Sequence, residues 1–192
     1  MATANIYNFM DGINGIAGIT GIVAFGILAG VGWARGERPE WILVALAIAA
    51  ACGGFLPWNF PRSRVFMGDV GSVLLGFMFA VFAVCWSQNP ADFLMFAAFL
   101  FPFYADELVT LGTRIRSGDS LTKPHRRHIY QILANQMRLP HWRVSVIYGV
   151  LQLSVATAAV VIRPAGWMAE VALLGTLFAA FWVLASWVQR HE

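Results

Sequence analysis

The pattern along the chain is one of long apolar stretches broken by short polar ones. Gly12 to Ala34 runs 23 residues without a charge, Trp41 to Pro61 runs 21, and Val70 to Ala91 runs 22. Val144 to Ile162 and Val171 to Gln189 each give 19. A helix needs roughly 20 predominantly apolar residues to cross a bilayer. These five stretches therefore predict five membrane helices. A sixth, from about Phe93 to Thr113, is apolar apart from Asp106 and Glu107 near its end. The expected spans are 13–34, 41–56, 70–87, 93–113, 144–163 and 167–188, in a single all-α membrane domain over residues 1–192. The chain opens on the polar stretch ATANIYNFMDG and shows no pattern of a secretory signal peptide. Gly26 and Gly30 form one GxxxG, which predicts close packing between helices.

Composition supports this reading. The 192 residues are 59% hydrophobic and 12% charged, where soluble domains carry about 25% charged residues. A soluble chain of this size could not hide so much apolar surface. Cys52 and Cys85 lie inside apolar runs and read as inert core thiols.

The distribution of basic residues orients the spans. Ten of the thirteen Lys and Arg residues fall in loops 57–69 and 114–143 and in the tail, on the side that carries both termini. Only Arg35, Arg38 and Arg163 fall opposite. The positive-inside rule then puts the basic loops in the cytoplasm. A net charge of +3 spread in this way is a membrane signature, and nothing in it calls for nucleic acid. Glu37, Glu40 and Glu170 read as solvated surface at the outer side.

Three polar clusters fall on the cytoplasmic side. The first is Asn5-Ile-Tyr-Asn8-Phe-Met-Asp11-Gly12, whose Asn5, Asn8 and Asp11 recur every three residues and would share a helix face. An ordinary polar helix start is the plainer reading. The second is Asn59-Phe-Pro-Arg-Ser-Arg-Val-Phe-Met-Gly68-Asp69-Val-Gly71-Ser72. Asp69 at the head of a helix can cap it, or can ligate Mg²⁺, which takes one or two carboxylates and completes its shell with water and phosphate. The third is Lys123-Pro-His125-Arg126-Arg127-His128-Ile-Tyr-Gln131, where two histidines at i,i+3 and neighbouring cations suit phosphate at a helix start. The HExxH zinc pattern is not met. Contact with anionic lipid headgroups is the plainer reading of these basic residues. Asp106 and Glu107 sit at membrane depth, where an ionisable group is a functional candidate. A transporter would carry its polar groups at the midplane, and here they lie at one face. Together the clusters predict a site for an anionic, phosphorylated substrate.

These motifs resemble those of the polyprenyl-phosphate N-acetylhexosamine-1-phosphate transferase superfamily. NIYNFMDGINGIAG is similar to its Asn-x-x-Asn-x-x-Asp-Gly signature, FPRSRVFMGDVGS to its Phe-Met-Gly-Asp-x-Gly-Ser loop, and KPHRRHIYQ to its histidine loop in the form of O-antigen-type bacterial members. The resemblance implies transfer of a sugar-1-phosphate from a UDP-sugar to undecaprenyl phosphate, with release of UMP, at the cytoplasmic face of a bacterial inner membrane. It implies Asp11, Asp69, His125 and His128 as catalytic residues and Asp69 as ligand of the cofactor Mg²⁺. It also implies that Asn5, Asn8, Arg126, Arg127 and Asp106 bind substrate. Family members carry more spans, and upstream of these motifs a cytoplasmic Asp-Asp motif. No Asp-Asp pair occurs here, so the chain is expected to correspond to the C-terminal half, completed by an N-terminal half or in a homo-oligomer. The alternative is a non-catalytic membrane subunit that binds lipid phosphate or a partner chain.

Overall fold

The structure, a computed structural model, describes residues 1–118 and 128–190, and the secondary structure among them is helical. A short helix α1 (Ala2–Phe9) precedes three long ones, α2 (Ile16–Arg35), α3 (Pro39–Asn59) and α4 (Gly68–Trp86). Next come α5 (Pro90–Ala98) and α6 (Phe101–Ser117). A helical turn α7 (Ile129–Gln131) continues as a π turn over Ile132–Gln136, and α8 (His141–Ile162) and α9 (Trp167–Arg190) complete the bundle. The breaks follow local chemistry. Gly15 and Gly36 bracket α2 in left-handed conformation, with φ of 86° and 70°, a geometry that glycine adopts at no steric cost. Pro39 and Pro90 occupy first turns, where the missing N–H is not needed. Asn89 caps α5 by accepting from the Asp92 N–H at 3.1 Å.

Five of these helices are long and apolar enough to cross a membrane, which makes this a multi-pass all-α membrane protein. The fourth expected span is not one straight helix. Its residues form α5 and α6, bent by 87° across Phe99 and Leu100. Pro102 in the first turn of α6 cannot donate to the preceding turn. The Phe103 N–H turns to the Leu100 carbonyl at 3.0 Å, and the Phe99 carbonyl is taken up by Gln152 of α8, whose Nε2 donates to it at 2.8 Å and to the Thr20 carbonyl at 3.1 Å.

Helix α2 is the hub. Along its apolar stretch 56% of the residues are buried, against 11% for α9. Its small residues allow this: a Cβ on Gly21 would meet the Cys52 sulfur at 2.6 Å, and one on Gly32 would meet the Trp86 ring. Gly26 and Gly30, expected at such a contact, face open space. Aromatic residues fill the middle of the bundle, with Phe82 set edge-on against Phe25, Trp41 and Trp86. Both cysteines are free thiols, Cys52 buried and Cys85 exposed.

Polar groups gather at the two ends. At one, Asp92 is held between Arg35 and Arg163, the latter donating from Nε at 2.7 Å. Glu170 lies beside this cluster within the field of Arg163 and is fully buried, which corrects its reading as solvated surface. The chain's own packing covers the Glu170 side of the first turn of α9, while Trp167 and Met168 stay exposed. The other end carries Asp11, Asn59, Asp69 and the start of α7, and is the site.

Candidate functional site

The site forms where the turn after α1 meets the loop between α3 and α4. Asn8, Asp11, Gly12, Asn14, Asn59, Phe66, Gly68 and Asp69 line a polar cavity of about 160 Å³. Three features hold these side chains in place. Ser72, one turn into α4, donates to Asn8 Oδ1 at 2.6 Å. Asn59, buried at the end of α3, accepts from the Gly15 N–H at 2.6 Å and donates to the Val65 carbonyl at 2.8 Å. Gly68 takes a φ of 68° as the chain enters α4. One asparagine thus ties the first cluster to the second.

Asp69 does not cap α4. Met67 occupies the N-cap position, with no side-chain cap bond, and Asp69 stands two residues further on with its side chain exposed at the cavity. The positive end of the helix dipole still favours its charge. Asp11 lies beyond the end of α1, on the turn. Burial pushes its carboxyl up to about 7, with the facing charge of Asp69 adding to the effect. Asn5 is exposed and is not among the residues lining the cavity. The three-residue spacing therefore brings Asn8 and Asp11 to the site and leaves Asn5 outside it.

The third cluster is only partly described. His125, Arg126 and Arg127 lie outside the described residues. His128 has an extended backbone ahead of α7, so the helix expected to present both histidines does not include it. Its ring is buried, with Nδ1 3.5 Å from Asp106 and Nε2 3.7 Å from Glu107. Asp106 has no exposed surface. Its carboxylate accepts from the N–H groups of Ile129 and Tyr130 at 2.8 and 3.1 Å and from the Tyr148 hydroxyl at 2.6 Å. That is an internal anchor of the loop, where substrate contact was expected.

Sequence reasoning missed Asn59, Tyr130 and Tyr148 as parts of the site. Asn59 and Tyr130 stand inside the quoted clusters, and a polar residue flanking a motif is the signal that could have found them. Tyr148 sits within a long uncharged run, where nothing separates it from an ordinary interfacial aromatic. Burial, then the charge of Asp106, raises the Tyr130 phenol well above its ordinary value, so its hydroxyl keeps its proton.

Beside the polar cavity a second, almost wholly apolar one of about 270 Å³ opens between α3 and α4. Ile48, Cys52, Phe55, Met67, Gly71 and Leu75 are among its walls. The 66–71 segment separates the two spaces, with Phe66, Gly68 and Asp69 on the polar side and Met67 and Gly71 on the apolar side.

The arrangement offers hard oxygen donors and little else. Among the described residues no group of three or more His, Cys, Asp or Glu side chains gathers as a metal site. Two facing carboxylates, one half-buried and held partly protonated, still fit a divalent cation that takes the rest of its shell from water and phosphate.

The chain is similar to known proteins. The profile described as glycosyl transferase family 4 matches residues 1–87. The chain is 32% identical over 168 residues to the decaprenyl-phosphate N-acetylglucosaminephosphotransferase of Mycobacterium tuberculosis H37Rv, a match covering 77% of this chain and 41% of that protein. It is 45% identical over 79 residues to the phospho-N-acetylmuramoyl-pentapeptide-transferase of Moorella thermoacetica, covering 40% of this chain and 24% of that one. With the corresponding transferase of Halalkalibacterium halodurans it shares 26% over 160 residues, 83% of this chain and 48% of that one. The chain thus spans about two fifths of the length of the first of these relatives. With the three motifs in order and two of them meeting in one cavity, the chain belongs to the polyprenyl-phosphate hexosamine-1-phosphate transferase family.

Proposed function

We propose that this chain carries the phosphate-handling face of an enzyme that moves a sugar-1-phosphate, an N-acetylhexosamine phosphate, from a UDP-sugar to undecaprenyl phosphate, releasing UMP. In this reading it initiates lipid-linked cell-surface polysaccharide of the O-antigen type, at the cytoplasmic face of a bacterial inner membrane. The observation that carries the reading is the meeting of Asp11 and Asp69 in a polar cavity walled off by one short segment from an apolar groove. An acceptor with a phosphate head and an isoprenoid tail matches that pair of surfaces.

A cavity of about 160 Å³ is small beside ligand pockets of roughly 300–1,000 Å³. It has room for a phosphate and a cation, and the remainder of the nucleotide sugar lies outside it. Asp69, with Asp11 opposite, would hold Mg²⁺. Bound there, the ion supplies neutralisation of the crowded phosphate charge. Asn8 and Asn14 offer amide groups that orient phosphate oxygens without adding negative charge. Asp11, with its carboxyl near neutrality, is suited to taking up a proton from the attacking lipid phosphate. His125, Arg126 and His128 would complete the cationic side of the site, and Asn5 and Arg127 its margins.

The test is UMP release from membranes holding this chain, alone and together with the N-terminal part of a relative, across a Mg²⁺ titration. The chain alone is expected to be slow or silent, and the completed enzyme active. In the completed enzyme Asp69→Asn keeps the size but removes the charge a hard cation needs. The expected loss is about a hundredfold, the scale of one deleted transition-state contact, with normal abundance in the membrane. Wild-type rates for that variant would overturn the metal assignment. Silence in every combination would favour a non-catalytic subunit.

A further inference from the structure

We propose that Asp106 and Tyr130 are positioning residues: they hold the turn bearing Asp11 at a fixed distance from the loop bearing His128. The idea rests on the reading of Asp11 as a site residue given above. The linkage can be followed atom by atom. Asp106 is fixed on α6 and braced from α8 by the Tyr148 hydroxyl at 2.6 Å and from its own helix by Thr110 at 3.3 Å. Its two oxygens take consecutive backbone N–H groups, Ile129 and Tyr130, at 2.8 and 3.1 Å. A carboxyl held this way fixes the first turn of α7, because both of its oxygens are committed to consecutive backbone donors. The side chain of Tyr130 then crosses to the other half of the site. It is fully buried. Its hydroxyl donates to the Phe9 carbonyl at 2.9 Å and accepts from Gln131 Nε2 at 3.0 Å. It lies so close to Gly12 that a Cβ there would stand 2.2 Å from the phenolic oxygen. The glycine after Asp11 is the space into which the tyrosine fits. Two segments more than a hundred residues apart in sequence are thereby coupled through one ring. Neither residue needs to touch a substrate for the coupling to matter, since a shift of about 1 Å in a reacting group can cost a hundredfold in rate.

Hydrogen exchange of the purified full chain in lipid nanodiscs tests this without requiring turnover. Two windows are read: residues 9–16, where the Met10, Asp11, Gly15 and Ile16 amides are bonded, and residues 129–136. Tyr130→Phe keeps the ring and the Asp106 anchor but loses the hydroxyl. It should speed exchange at 9–16 by severalfold to about tenfold, the scale of one lost hydrogen bond, and leave 129–131 unchanged. Asp106→Asn should speed both windows, and Asp106→Glu, which keeps the charge, should restore part of the protection. If Asp106→Asn does not fold, Tyr130→Phe decides alone. Unchanged exchange at 9–16 in Tyr130→Phe overturns the proposal. So does a uniform rise that includes the centres of α2 and α8, which would mean general support of the fold. In the completed enzyme the same Tyr130→Phe should lower kcat more than it raises KM for the nucleotide sugar. If no transfer is found at all, the functional reading falls, while the exchange data still decide the coupling.

Discussion

Asp11 is a residue whose surroundings change its chemistry. Burial, with the charge of Asp69, pushes its carboxyl up to about 7, against about 3.9 for an unperturbed aspartate. A carboxyl raised by folding binds its proton more tightly in the native state. It therefore contributes fully to stability below about pH 4, and that contribution is lost as pH rises toward 7. Asp11→Asn should raise the melting temperature above pH 7 and have little effect near pH 4, as thermal unfolding in detergent at the two pH values would show. Added Mg²⁺ should narrow the difference at high pH, because a cation between the two carboxylates relieves the same repulsion. A variant no more stable than wild type at pH 8 would remove the electrostatic argument. Which single residues matter was only partly legible in the sequence. Asp11 and Asp69 stood out because charge is rare in this chain. Asn59 did not, since its role depends on Gly15 lying beside it in space. Asp106 was noticed for its cost at membrane depth, yet only its three-dimensional partners show that the cost is met by the loop it anchors.

At the level of elements, uncharged runs located the long helices to within a few residues, because a bilayer demands a length and little else. They could not show that the fourth span is broken. Hydropathy averages over a window, whereas the break depends on Pro102 and on a polar partner in another helix. Gln152 is that partner, and it also holds α8 against α2 through the Thr20 carbonyl. Gln152→Leu would leave two buried carbonyls without this donor. The expected cost is about 1–3 kcal/mol, chiefly from the Phe99 carbonyl at the break, seen as a lower melting temperature and faster exchange around Phe99. A neutral outcome would mean that the bend is held by packing alone. GxxxG proved a poor guide for a related reason. The spacing marks a smooth helix face, but which face meets a neighbour is set by the rest of the bundle.

For the molecule as a whole, the sorting of charge into two ends was readable from loop composition, and the structure keeps it. Arg35, Asp92 and Arg163 join at one end, the carboxylates of the site at the other. The proposed orientation has a direct test. In a Cys85→Ala background, cysteine at position 66 should react only with reagents admitted to the cytoplasm, and cysteine at position 37 with impermeant reagents added outside. The reverse pattern would overturn the cytoplasmic placement. Convergence of the motifs was also foreseeable, since two of them flank the same pair of spans. Their linkage through Tyr130 was not, because it depends on a side chain reaching across loops distant in sequence.

The groove between α3 and α4 has a kinetic consequence. An acceptor that arrives through it travels in the plane of the bilayer, so the concentration that governs its encounter with Asp69 is its mole fraction among lipids. Adding inert phospholipid to proteoliposomes at constant total acceptor should therefore slow the completed enzyme in proportion to the dilution. Leu75→Trp, which narrows the groove, should steepen that dependence for a long-chain acceptor and leave a short, water-soluble one unaffected. Rates that track acceptor per volume, whatever the lipid content, would place its entry elsewhere.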